Sequence, residues 1–364
     1  MPKKPRPFGD RAVRDVLAAK ADLSERHFRS VAHDRNTAGP GAAPRRVWGP
    51  ARRVPDLIDR ALVHIHAIGV GRKVVANKVT KSLSVRVYVT QKLPKTLLPA
   101  AARVPETLEG VPTDVIESPP AFLAASALPP PCSIRRTRPQ RPLRGGISAA
   151  NESVNAGTLT ALCHSTRPAD AGRRFILGNN HTFADLGVAP LGSPILQPSP
   201  RDGGTANDQI ATLARFVPID ETDTAANLVD AALAELIPGA LMQSDICTLG
   251  APQGTSQPEL DASVQKHGRT TGFTTGIIDD PSIDFLIPLS RTNPDRVSRF
   301  IRQIRIRPSP DMAVFAQGGD SGALVTTRAD NRAIGLLFAC PDDGSFAYAN
   351  PIAEVMTALE ITFA

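Results

Sequence analysis

What most narrows the fold of this chain is how often it is broken. Its 364 residues include 34 prolines and 27 glycines, and residues of these two types interrupt helices and β-ladders. A long helical bundle is not compatible with that punctuation. Between the breaks, residues 143–364 carry a succession of short apolar segments: TLTALC, RFILG, IATLARFV, SVQKHG, FIRQIRIR, GALVTT and AIGLLFA. Short runs at this spacing predict an all-β barrel or sandwich. One helix is expected to close the chain. Asn350 and Pro351 suit its N-cap and N1 positions, and Ile352, Val355, Met356 and Leu359 follow at i, i+3, i+4 and i+7.

The rest of the chain divides by composition. Residues 1–53 read as a basic helical extension, with Val13, Val16 and Leu17 at helical spacing and a linker-like NTAGPGAAPRR after them. Residues 55–118 read as a small α+β domain. ALVHIHAIGVG is a strand ending in glycines, and SVRVYVT sets Val85, Val87 and Val89 against Arg86, Tyr88 and Thr90 as a half-buried strand. His64 and His66 share one strand face, but no third ligand lies nearby, so a solvated or hydrogen-bonded face is favoured over a metal pair. Residues 119–142, with seven prolines and four arginines, read as an extended linker and a target for proteolysis.

Charge follows the same division. Residues 1–150 hold 27 of the 42 basic and 11 of the 35 acidic residues, a balance of +16; residues 151–364 hold 15 against 24, a balance of −9. Such a basic half points to an acidic partner or to nucleic acid. Aromatics make up only 4%, which leaves little material for stacking on single strands. No run of eighteen apolar residues is present, and MPKKPRPFGD lacks an apolar core, so neither a membrane span nor a secretory signal is expected. Cys132, Cys163, Cys247 and Cys340 are too scattered for a disulfide framework, which favours free thiols in a reducing cytoplasm.

Three segments of the C-terminal part carry residue types that work together. FILGNNHTFAD places His181 just after a strand, NLVDAALAEL places Asp230 in an apolar segment, and QGGDSGALV places Ser321 in a glycine-flanked turn. A serine hydroxyl needs an imidazole to take its proton, and the imidazole needs a carboxylate on its other nitrogen. The oxyanion that follows needs preorganised N–H donors, which Gly319 and Ser321 can aim at one point. The order His, Asp, Ser, with Ala323 in the last place of a GxSxG pattern, excludes an α/β-hydrolase elbow. Asp223 and Asp245 are alternatives to Asp230.

GNNHTFAD and GGDSGALV resemble the histidine and serine motifs of the trypsin-like (chymotrypsin-fold) serine peptidases, over roughly residues 143–364. The resemblance implies a double β-barrel with His181 as general base, Asp230 as its orienting acid, Ser321 as nucleophile and Gly319 with Ser321 as oxyanion hole. VQKHGRTTGFTTG, QPSPRDGG and VPETLEGVPTDVIE are similar to an intracellular branch with an α+β domain before the peptidase, to which plant leaf-shape regulators of the NAL type belong. By the same resemblance Phe315 and Cys340 line the primary specificity pocket, which disfavours Arg or Lys. Thr182 stands where secreted relatives carry a paired cysteine. Ile147 in RGGIS follows its glycines, so no obligatory cleavage is expected there, and the buried Asp320 must find an internal partner.

The activity implied is a cytoplasmic serine endopeptidase acting on protein or peptide substrates, with no metal and no organic cofactor. The alternative is a regulatory or binding protein that keeps the fold with its activity suppressed. An oligomer is compatible with either. Arg269 and the threonines of GRTTGFTTG are expected to shape a hairpin turned by Gly272 and Gly276, with contact to substrate as the second reading. Arg296, Arg299, Arg302, Arg305 and Arg307 are expected on a solvated face, with an anionic-partner patch as the second reading.

Overall fold

A computed structural model describes residues 10–36, 65–75, 78–98, 103–118, 122–123, 136–222, 224–289 and 296–364. These residues are mainly β. The chain divides into two compact units. The first gathers Met1–Pro120, Thr222–Thr224 and Ser282–Leu286; the second gathers Ala121–Glu221, Ala225–Pro281 and Ile287–Ala364.

In the first unit the helix Asp10–Asn36 lies against a small sheet. Strand Ile65–Val75 pairs antiparallel with Lys78–Val89, which pairs parallel with Val111–Glu117. Val16, Ala19 and Phe28 of the helix pack on Ile68, Val70 and Val85, so the expected extension is part of this core. One helical turn further round, Ser24 donates to Asp284 at 2.6 Å and Lys20 pairs with the same carboxylate.

The half-buried reading of SVRVYVT is overturned: Arg86 and Tyr88 are buried along with the valines. Arg86 lies across Gly71, where a Cβ would stand 2.3 Å from the guanidinium carbon, and donates to the Arg72 carbonyl at 2.7 Å. The glycines therefore continue the strand rather than end it, because only a residue without a Cβ admits that close approach. His66 is buried with Nε2 on the Ser118 carbonyl at 2.9 Å; His64 and Cys132 lie outside the described residues.

The second unit contains two β-layers that each return on themselves. In the first, the order is Ile361–Phe363, Leu162–Ser165, Phe175–Gly178, Ala232–Leu236, Gln209–Phe216, Pro194–Leu196 and Ala150–Asn151. Hydrogen bonds from Ala149 to Gly157 (3.1 Å) and Leu159 to Ile147 (2.9 Å) join the last segment back to the chain leading into Leu162–Ser165. Leu162, Ile176, Ile195 and Ile210 fill it. In the second, Ser263–Gly268, Leu324–Thr327, Ala333–Cys340, Ala347–Pro351, Val297–Pro308 and Gly272–Pro288 are neighbours in that order, and the first pairs with the last. That is a closed six-stranded barrel, filled by Val264, Ile304, Val325 and Leu337. A third apolar cluster combines Leu177 and Leu233 of the first layer with Leu336 of the second and Val355 of the closing helix.

Three local expectations change. The closing helix runs Ile352–Leu359 with Pro351 as its N-cap; the Asn350 side chain does not cap it and is committed elsewhere, as described below. The hairpin turns at Arg269–Thr271, with Gly268 opposite Gly272, but Gly276 sits inside the strand, where a Cβ would meet Ile306 and Phe315 at 2.7 Å. Arg305 is buried beside Asp279 and stacks 4.1 Å from the Phe346 ring centroid, so the arginine series is not one solvated face. Arg296 pairs with Glu221 and Arg302 with Glu354. Phe122–Leu123, from the Pro/Arg segment, pair antiparallel with Ala339–Cys340. Among the described residues no helix is long and apolar enough to cross a membrane.

Candidate active site

The histidine stands in a one-turn helix, Asn180–Phe183, that follows strand Phe175–Gly178. Its placement is over-determined by two asparagines. Asn179 Nδ2 donates to the Asp230 carbonyl at 2.8 Å, and Asn180 Nδ2 donates to the Val217 carbonyl at 2.7 Å. Thr182, in the place of the absent cysteine, returns its hydroxyl to the Asn179 carbonyl at 3.1 Å.

His181 and Asp230 meet. The His181 amide donates to Asp230 Oδ1 at 3.0 Å, and Nδ1 contacts Oδ2 of the same carboxylate, which has no exposed surface. A carboxylate on Nδ1 leaves Nε2 as the basic nitrogen, and the structure gives Nε2 no partner among the described residues. The Asp230 amide in turn donates to Asn350 Oδ1 at 3.1 Å, and Asn350 Nδ2 donates to Gln303 at 2.7 Å. Asn350 thus anchors the acid to the barrel, a role that its cap-like sequence position concealed. Of the alternatives, Asp245 is partly exposed beside Arg144 at 3.5 Å, and Asp223 lies outside the described residues.

Ser321 lies in the turn ahead of strand Leu324–Thr327, with Gly319 and Gly322 both at φ +96°. Gly157 and Thr158 touch both halves of the site. A Cβ on Gly157 would stand 2.9 Å from Thr182 Cβ, and Thr158 N donates to the Ser321 carbonyl at 2.7 Å. The Ser321 hydroxyl does not bond His181; it donates to the Phe338 carbonyl at 3.2 Å. Neither the Gly319 nor the Ser321 amide donates to a protein acceptor among the described residues.

Asp320 has the internal partner that its burial demands. Lys266 Nζ stands 3.3 Å from Oδ2, and both groups have no exposed surface. Thr271 Oγ1 donates to Oδ2 at 2.6 Å, Thr270 N and Thr271 N donate to Oδ1 at 2.8 and 3.1 Å, and Gln317 N reaches Oδ2 at 3.1 Å. Burial alone would push this carboxyl up, but the ammonium and the four donors outweigh it and hold it below the usual carboxylate range. Burial pulls Lys266 down, against the pull of Asp320. The neighbouring His267 is lowered to about 4 by burial and by Lys266.

Phe315 and Cys340 are buried in one apolar cluster, with Lys266 Nζ 5.9 Å from the Phe315 ring centroid. Cys163, Cys247 and Cys340 are buried. No group of residues able to hold a metal ion occurs among the described residues. Arg269, expected to shape a hairpin or to contact substrate, is wholly buried and bound through two nitrogens to Asp202.

The chain matches no protein-family model and no curated relative. Solved structures similar to it include Thermobifida fusca protease A, at 14% identity and a TM-score of 0.43 over 61% of this chain and 98% of that one. A glutamic acid-specific serine protease is similar at 14% identity and 0.43 over 61% and 100%. Cellulomonas bogoriensis chymotrypsin is similar at 17% identity and 0.40 over 61% and 98%.

Proposed function

We propose that the chain is a serine endopeptidase in which His181 is the general base, Asp230 its orienting acid and Ser321 the nucleophile. The observation that carries this reading is the His181–Asp230 contact through Nδ1, with Nε2 unpartnered among the described residues. For reaction the Ser321 hydroxyl must leave the Phe338 carbonyl and give its proton to Nε2. Oγ then bonds the scissile carbonyl carbon, and the oxyanion is received by the Gly319 and Ser321 amides. His181 returns the proton to the leaving amine as the C–N bond breaks, and water repeats the sequence on the acyl-enzyme.

Phe315 and Cys340 favour a small or medium apolar side chain before the cleaved bond, and a Leu-versus-Arg peptide library checks it; a strong Arg preference refutes it. Burial of Cys163 and Cys247 as free thiols fits a reducing cytoplasm. The Lys266–Asp320 pair supports activity without a cleavage in RGGIS, since the carboxylate is already matched. A mature N-terminus at residue 145 or 147 in the active enzyme refutes this.

A second reading, the same fold with its activity held in check, is favoured by the Ser321 hydroxyl lying on Phe338 rather than on His181. A fluorophosphonate probe separates the two. Labelling at neutral pH that is lost in Ser321→Ala supports the endopeptidase; folded wild-type protein that does not label supports the suppressed form.

A further inference from the structure

The Gly318–Asp320 turn is held from beneath by two hydroxyls. Thr270 Oγ1 donates to the Gly318 carbonyl at 2.7 Å, and Thr158 Oγ1 donates to the Gly319 carbonyl at 2.9 Å. In a trans peptide the carbonyl and the following N–H point in opposite directions. Holding the Gly318 carbonyl therefore sets the direction of the Gly319 N–H. The Asp320 carbonyl accepts from Ala323 N at 2.9 Å, which sets the Ser321 N–H in the same way.

Each hydroxyl has a single proton, and one residue decides where both go. Arg269 Nη1 donates to Thr270 Oγ1 at 3.0 Å, and the Arg269 amide donates to Thr158 Oγ1 at 3.0 Å. With a donor already facing each oxygen, each hydroxyl proton is left for the glycine carbonyl. Arg269 is fixed in its turn. Nε and Nη2 meet Asp202 Oδ2 and Oδ1 at 2.8 and 2.5 Å, Ser148 donates to the same carboxylate at 2.6 Å, and Arg136 Nε holds the Arg269 carbonyl at 2.7 Å. The fit is tight: a Cβ on Gly319 would stand 2.5 Å from Thr270 Oγ1 and 2.9 Å from Arg269 Nη1.

We infer that Arg269, braced by Asp202, is a positioning residue that presets the Gly319 N–H of the oxyanion hole by aiming the Thr270 hydroxyl at the Gly318 carbonyl, while the Thr158 hydroxyl, aimed at the Gly319 carbonyl, steadies the same turn. This rests on the endopeptidase reading. A buried arginine–aspartate pair present only for stability has no need of both hydroxyls, nor of their alignment on consecutive carbonyls of the nucleophile's turn.

The test is Thr270→Val, which removes the hydroxyl while keeping the shape and the Thr270 amide bond to Asp320, with Thr270→Ser as the conservative rescue. The expected result is a fall in kcat of about 10²-fold with KM within a few-fold, as for loss of one oxyanion donor. Affinity for a peptide aldehyde should fall in parallel, and Thr270→Ser should regain most of both. Wild-type kcat in a Thr270→Val protein whose melting temperature alone has dropped overturns the proposal. A wild-type chain that never labels with fluorophosphonate refutes the endopeptidase reading instead. In that event a crystal structure of Thr270→Val decides positioning by itself: a reoriented Gly318–Gly319 peptide supports it, and an unchanged peptide overturns it.

Discussion

Asp230 and Asp320 are among the carboxylates with no exposed surface, and each must be matched or lose its charge. Asp230 is matched by His181 and by the His181 amide. An amide in its place would keep the shape but present a donor where Nδ1–H needs an acceptor. On the endopeptidase reading, Asp230→Asn should therefore lower kcat by about 10³–10⁴-fold with little change in KM, as steady-state hydrolysis would show. Asp320 is matched by Lys266, and Lys266→Met leaves a buried charge behind. Loss of one partner of such a pair costs about 3–5 kcal/mol. The sign with pH follows from the depressed Asp320 pKa. A depressed carboxylate contributes stability that is present above its unfolded pKa, near ~4, and is lost as pH falls through the folded value. Without the ammonium, the Asp320 pKa rises. The deficit of Lys266→Met should thus be largest at pH 7 and shrink towards pH 4, measured as melting temperature against wild type at both values. A deficit independent of pH would argue that Lys266 acts by packing alone. Residue types and order made His181, Asp230 and Ser321 legible as candidates in the sequence, and the structure brings the first two into contact. The supports were not, because Lys266, Asn350 and Arg269 act across 54, 120 and 67 residues of chain, and no local pattern marks such a pairing.

At the scale of elements, short apolar runs between turn residues foretold the β-layers of residues 143–364, and the spacing of Val13, Val16 and Leu17 foretold the first helix. What spacing does not encode is how many faces of a strand are covered. Arg86 and Tyr88 read as the wet face of Lys78–Val89 yet are buried, because Arg86 finds a carbonyl and a glycine to lie on. The same blindness made Gly276 a turn residue. It stands in the barrel wall, where a Cβ would be 2.7 Å from Ile306 and Phe315 and 2.8 Å from the Arg307 carbonyl. Gly276→Val should overpack the barrel at a cost of about 1–3 kcal/mol, lowering the melting temperature by roughly 2–12 °C. Gly250→Ala is the contrast: no atom lies within 4 Å of its Cβ position, and its φ of +78° leaves only backbone strain. A Gly276→Val protein as stable as wild type would mean that the two barrel strands part more readily than their packing implies.

For the whole molecule the charge split is the remaining clue, and the structure redistributes it. Arg136, counted in the basic half, is buried and holds the carbonyls of Arg269 and Thr270, each at 2.7 Å. Arg141 is engaged with Gln197 and the Gln140 carbonyl. These two arginines are structural parts of the second unit, so the Pro/Arg segment is less a free basic tether than its composition suggests. The rest of the basic excess falls on other residues, including Arg45, Arg46, Arg52 and Arg53, which lie outside the described residues. If the basic half meets a polyanion, duplex DNA bound by full-length Ser321→Ala should dissociate with salt at a log–log slope of several units. Replacing those four arginines by glutamine should reduce the slope by up to about 0.9 for each phosphate that is no longer neutralised. Arg136→Gln should leave the slope unchanged and lower the melting temperature instead, because its donors face carbonyls of this chain. A slope that falls as much in Arg136→Gln as in the four-arginine variant would refute the structural assignment of Arg136. No binding at low salt would remove nucleic acid as the partner and leave an acidic protein surface as the basic half's counterpart.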